Sequence, residues 1–210
     1  MVSSLIGELP DGWTEVRLEE ICELKAGVST PADSGGPVAV MKPRNIADDR
    51  FTGIPDGIGE EAAAKLPSYR LMAGDVVCVR TGGIGKHALV TAEQEGWVIG
   101  TGIIRLRPGP WVDPPYLSHY LSHPSVQNWF ARNGSGTAVP NISTRVLGAL
   151  PVVLAPLPVQ HSIGKTLGAL NEKIATHERI CRTTAQLRDT LLPLLMSGTS
   201  AAQGPGRSGG

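Results

Sequence analysis

The sequence predicts an α+β protein: a β-rich globular head followed by one long α-helix. Residues 12 to 110 are rich in Gly and Pro and carry short β-branched runs, the composition of short strands joined by turns. From about Ser162 to Leu192 the pattern becomes helical and continues without a glycine turn. Apolar residues recur there at Ile163, Leu167, Leu170, Ile174, Ile180, Leu187 and Leu191, spaced mostly by three, four or seven, which lays one apolar stripe along a helix. Such a helix is roughly 45 Å long, more than a compact domain of about 150 residues covers, so the stripe calls for a partner helix.

The elements follow in order. Leu18 to Leu24 reads as a brief helical turn. Strands are expected at Val38–Met41, Asp75–Val79, Ala88–Val90, Trp97–Ile99 and Gly102–Arg107, each a short apolar run bounded by Gly or polar residues. From Pro114 two short helical patterns follow, Tyr116–Leu121 and Ser125–Phe130, joined at Pro124. Asn133–Thr137 is a glycine-rich loop and Ser143–Leu147 a short helix. A Pro-rich knuckle, Pro151–Gln160, leads into the long helix, and Pro193 marks its end. The domain plan is a head over 1–158, an arm over 159–196 and a disordered Gly-rich tail over 197–210.

With 210 residues, the chain has room for one core plus an appendage. Its 19 basic and 19 acidic residues cancel, so any site for a polyanion must come from local clustering of Arg and Lys. Cys22, Cys78 and Cys181 lie far apart, without metal-ligand spacing, and read as reduced thiols of a cytoplasmic protein; no metal site is expected. No apolar run is long enough to span a membrane, and no charged-then-apolar leader precedes Glu8, so no membrane partner is expected.

Three short motifs suggest chemistry that their context does not support. Asp113-Pro-Pro-Tyr116 matches the tetrapeptide with which adenine-amino methyltransferases hold a flipped base. The nucleotide-binding βαβ pattern that this chemistry requires is missing upstream, and Asp113 reads more simply as the N-cap of a helix opened by two prolines. Ala32-Asp-Ser-Gly-Gly-Pro37 is similar to the nucleophile segment of chymotrypsin-like proteases, but no histidine precedes His87, and it reads as a turn. Arg80-Thr-Gly-Gly-Ile-Gly-Lys-His87 fails the phosphate-loop pattern at both ends, with Arg80 for the first glycine and His87 for the hydroxyl. A glycine-rich loop with Arg80, Thr81, Lys86 and His87 still suits a phosphodiester, because small residues let backbone N–H groups approach an anion; the alternative is a plain basic hairpin tip.

The ordered set Leu9-Pro-Asp-Gly-Trp13, Val16-Arg-Leu18, Lys42-Pro-Arg-Asn-Ile46, Tyr69-Arg-Leu71, Gly74-Asp-Val-Val77, Arg80-Thr-Gly82, Gly134-Ser-Gly136, Asn141-Ile-Ser143 and Leu157-Pro-Val-Gln160 resembles the specificity subunits of type I restriction-modification systems. That resemblance implies a target recognition domain that reads one half of a split DNA sequence, and a long helix that pairs in an antiparallel coiled coil and docks methyltransferase subunits. A full specificity subunit carries two such head-and-arm units and this chain carries one, so the arm is expected to pair with a second copy or with another half. A symmetric pair would read a split palindrome. His177 and Cys181 interrupt the apolar seam, either setting register or facing solvent as the stripe drifts.

The resemblance places the DNA contacts on loops along one side of the head. The candidates are Lys42, Arg44 and Asn45; Arg80, Thr81 and Lys86; and Ser135, Thr137 and Asn141. Arg and Asn form bidentate contacts with guanine and adenine edges, which makes Arg44 and Asn45 the base-reading candidates; Lys, Ser and Thr hold phosphates more often. For Asn45 and Asn141 the competing reading is a local turn hydrogen bond. Arg105 and Arg107 alternate on a strand and read equally well as a solvated face.

No catalytic residue or cofactor is expected in the chain. S-adenosylmethionine would bind a partner adenine methyltransferase, with double-stranded DNA and a translocating restriction subunit as further partners. Two rival readings are an N6-adenine methyltransferase fragment built on Asp113–Tyr116 and a helical adaptor without DNA recognition.

Overall fold

The computed structural model describes residues 3–30, 35–134 and 140–197. The chain divides into two compact units, Met1–Thr166 and Leu167–Gly210. Residues 32–34 of the expected turn Ala32–Pro37, the loop residues Ser135 and Thr137, and the tail from 198 onward lie outside the described residues.

The first unit is built on a four-stranded antiparallel sheet in the order His87–Leu89, Val76–Val79, Ile103–Pro108, Cys22–Ala26. Val76–Val79 is buried on both faces, and Ile103–Leu106 likewise, with Arg105 as the one charged side chain among them. Alternation then sorts their side chains. Val76, Cys78, Ile104 and Leu106 face the helices with Leu18, Leu117, Leu121 and Phe130, whereas Val77, Val79 and Ile103 face Met41, Ile46, Leu71 and Ile99. A fully buried Leu or Phe contributes about 1.5–3 kcal/mol, so these two layers hold the body together.

On the second face lies a smaller sheet, with Val38–Met41 parallel to Val98–Ile99 and antiparallel to Asp56–Ile58. A short hairpin, Ile46–Ala47 with Arg50–Phe51, leans on the same side. Its turn holds Asp48 and Asp49 in the left-handed region (φ 49° and 58°), which Asp tolerates better than most residues. Helices Pro114–Leu121 and Pro124–Asn133 cover the first face.

Several local expectations change. The helical turn from Leu18 stops at Ile21, and Cys22–Ala26 is a strand, because pairing with Ile104–Pro108 outweighs local helical preference. The Pro-rich knuckle is also a strand: Pro151–Leu154 pairs with Thr14–Arg17, and Pro151 sits at its first residue, where a missing N–H is tolerated. The long helix therefore starts at Leu157, with Pro158 in its first turn, and runs to Met196, about 60 Å at the standard rise. Pro193 does not end it. Proline removes a single donor there, and its own carbonyl accepts from Ser197 N at 2.9 Å to close the last turn.

Arg105 is 1% exposed, so it does not line a solvated face. Its guanidinium donates to the carbonyls of Ser68 and Arg70 and pairs with Glu23 at 2.7 Å, while Arg107 pairs with the buried Asp75 at 2.7 Å. Both arginines pin the 68–70 turn to the sheet. Among the described residues no helix is long and apolar enough to cross a membrane, and no cluster of His, Cys, Asp and Glu is arranged to hold a metal ion.

Candidate nucleic-acid interface

Strand Val38–Met41 ends in a 3-10 turn over Pro43–Asn45, started by a proline whose torsion suits the turn. Asn45 locks that turn. Its Oδ1 accepts from Lys42 N at 3.1 Å, and its Nδ2 donates to the carbonyls of Thr52 and Ile54, both at 3.4 Å. At 2% exposure the amide is unavailable to a base edge, so the base-reading role expected of Asn45 is corrected to that of a positioning residue. The turn hydrogen bond is the physical reason.

Lys42 and Arg44 flank it and are differently placed. Arg44 is exposed and Lys42 half-buried. Both cations reach Asp56, Lys42 Nζ at 2.6 Å and Arg44 through a short contact, and together they hold the Asp56 carboxyl below the usual carboxylate range. Sequence reading missed Asp56, which lies twelve and fourteen residues from these partners and meets them only through strand pairing.

The second basic loop leaves strand Val76–Val79 at Arg80. Arg80 N donates to Gly102 O (2.8 Å), and Ile142 N donates to Arg80 O (2.9 Å). Thr81 bridges Asn141 in antiparallel fashion, and Arg80 Nε donates to Asn141 Oδ1 at 3.3 Å. Arg80, Thr81 and Asn141 thus form one cluster, with Asn141 orienting the guanidinium. The Gly100–Gly102 segment joins this cluster to the Lys42 turn, since Gly100 N donates to Met41 O (2.8 Å) and a Cβ on Gly102 would stand 2.6 Å from Pro43 Cγ. Gly102, at φ 89°, is thus required for both its torsion and its close approach.

Lys86 is exposed and belongs to a different neighbourhood. It lines an open cavity with Asp48, Asp49, Ser122 and Gln127. His87, expected beside Lys86 on the phosphodiester loop, is instead fully buried, its ring nitrogens facing Gly85 O (2.9 Å) and Ser118 O (2.8 Å), with Asp49 Oδ1 3.6 Å from Nδ1. Ser135 and Thr137 lie outside the described residues, between Gly134 and the Pro140 whose carbonyl accepts from Gly82 N.

A family model for the type I restriction modification DNA specificity domain matches residues 10–182. The chain belongs to that family. A putative type I restriction enzyme MjaX specificity subunit of Methanocaldococcus jannaschii is 28% identical over 186 residues, which cover 81% of this chain and 42% of that protein. Among solved structures, the HsdS subunit of Thermoanaerobacter tengcongensis aligns with a TM-score of 0.60 at 22% identity, covering 82% of this chain and 40% of its own. The S subunit of a type I restriction-modification system from M. genitalium aligns at 0.67 and 17% identity, covering 93% and 49%. The α+β head and the long helix are shared features of the fold. This specificity domain spans less than half the length of each of these relatives.

Burial decides the reading of the Asp113–Tyr116 tetrapeptide. Asp113 Oδ1 accepts from Tyr116 N (2.9 Å) as a helix cap, and Tyr116 is 5% exposed with its hydroxyl donating to Val153 O (2.8 Å). Burial pushes its phenol up to about 12. A ring held in this way cannot stack on a flipped base. On the long helix of the specificity domain, Leu167, Leu170, Ile174, Ile180, Leu187 and Leu191 are exposed, as are Leu192, Leu194, Leu195 and Met196, while Ile163 is half-buried. Such a run of exposed apolar side chains is the mark of an interaction surface.

Proposed function

We propose that this chain is a DNA sequence-reading module with no catalysis of its own, in which Arg80 approaches base edges and Lys42, Arg44, Thr81 and Lys86 hold the backbone, Arg44 being moved from base reading to the backbone by the carboxylate it shares with Lys42. The observation that carries this reading is the junction at Gly100–Gly102, which sets two basic loops separate in sequence side by side. Acidic and basic residues balance over the whole chain, so local convergence of this kind is what a polyanion site requires.

The long helix pairs in antiparallel fashion with a second copy or with another half, covering its exposed leucines. The assembly recruits an adenine methyltransferase that uses S-adenosylmethionine, and a translocating restriction subunit joins it. Each head reads one half of a split site.

Mapping adenine methylation of the host genome with the gene intact and deleted tests this. Loss of a split palindromic motif on deletion marks self-pairing, and loss of a split asymmetric motif marks a different second half. An unchanged methylome together with no salt-dependent duplex binding by the purified chain would replace this reading with that of a helical adaptor.

A further inference from the structure

Antiparallel pairing of Val38–Met41 with Asp56–Ile58 sets Val40 opposite Asp56, which brings the Asp56 carboxylate up to the turn that follows Met41. Both cations of that turn converge on it. Lys42 Nζ engages Oδ2 at 2.6 Å and Arg44 Nη2 engages Oδ1, so each carboxylate oxygen has its own cation. Two basic side chains hold the two free oxygens of a phosphodiester in the same manner. The carboxylate is 37% exposed, and exposed ion pairs of this kind contribute little to folding. The turn itself is already closed by buried Asn45, so it does not depend on Asp56 for its shape.

We propose that Asp56 is an internal stand-in for a DNA phosphate: it occupies the Lys42–Arg44 site in the free protein and is displaced when a duplex backbone takes its place. This rests on the DNA-recognition reading above. A tethered carboxylate competes with every phosphate offered to the site, so Asp56 lowers background binding to random DNA. It also leaves the pair with one net positive charge in the free protein.

The test is binding of the full chain to a random-sequence duplex over a salt series, with thermal midpoints measured in parallel. Asp56→Asn should bind roughly threefold to tenfold tighter near physiological salt, with a salt slope steeper by about 0.9, the increment of one added phosphate contact. Asp56→Glu, which keeps the charge, should retain the wild-type slope, and Asp56→Asn should have no effect in a Lys42→Met/Arg44→Met background. Should Asp56→Asn not fold, Asp56→Ser carries the same expectations. Equal affinity and slope for the wild type and the folded neutral variant, or weaker binding by that variant, overturns the stand-in. A wild-type chain without salt-dependent duplex binding overturns the stand-in, and together with an unchanged methylome it overturns the DNA-recognition reading as well.

Discussion

Gln160 and Asp113, 47 residues apart, are joined by a 3.0 Å hydrogen bond from the Asp113 backbone N–H to the Gln160 carboxamide oxygen. The carboxamide Nε2 donates in turn to Trp111 O (3.2 Å) and Ala155 O (2.7 Å), and the side chain is 1% exposed. One buried residue therefore ties the root of the long helix to the loop before the Pro114 helix and to the strand end before Pro156. Replacing Gln160 with Leu strands a donor and two acceptors and is expected to lower stability by about 2–4 kcal/mol. Gln160→Glu keeps the acceptor but aims a buried charge at two carbonyls, so it should cost at least as much. Urea unfolding of the three proteins checks the order.

Two glycines of the same helix should answer oppositely to alanine. A Cβ on Gly164 would lie 2.7 Å from Asp113 Oδ1 and 3.0 Å from Pro115 Cβ, whereas one on Gly168 meets nothing within 4 Å. Alanine gains about 0.8–1.0 kcal/mol of helix propensity at either site. Gly168→Ala is expected to raise the urea midpoint, and Gly164→Ala to lower it because packing against Asp113 outweighs that gain.

Arg80 and Asn45 should separate binding from folding. Arg80→Ala is expected to reduce the slope of log K against log salt by about 0.9, or to relax preference at one base pair, with stability nearly unchanged. Asn45→Ala opens the Lys42 turn and should cost about 1–3 kcal/mol of stability, weakening DNA binding only as a consequence. Duplex binding and thermal melts on the same samples resolve the two.

The thiols should divide by burial. Cys22 and Cys78 are buried and Cys181 is exposed. Desolvation disfavours the thiolate, pushing Cys22 up to about 12 and Cys78 higher still, and the thiolate is the reacting form. A thiol-reactive chromophore should therefore label one site in the native protein between about pH 7 and about pH 9, and Cys181→Ser should abolish that signal. Full labelling of three thiols should need denaturant.

Much of the head was legible because strand signals are local. The runs around Val38–Met41, Val76–Val79 and Ile103–Arg107 show their character in β-branched content, and Asp113 caps its helix as its position implies. The strand Pro151–Leu154 escaped notice because its partner, Thr14–Arg17, lies at the other end of the head and the prolines around it suggest a loop. Of the candidate site, Arg80 could be found from charge and glycine-loop chemistry, and Lys42 and Arg44 through the family resemblance. Asp56 could not, since nothing in a stretch reading Ile-Pro-Asp-Gly announces an ion pair across two strands.

Periodicity and residue type by themselves determined the class of this protein: a β-rich head, a long helix, an apolar stripe on that helix and a basic glycine loop. These are properties of near neighbours, and side-chain spacing expresses them directly. Only the tertiary structure decided which polar groups remain available. Asn45, Arg105, Gln160 and Tyr116 all carry the chemistry of recognition, yet each is buried and committed to backbone carbonyls, which for Arg105, Gln160 and Tyr116 lie far away in sequence. Burial depends on residues dozens of positions away, and a buried polar group must find its partner wherever the fold brings one.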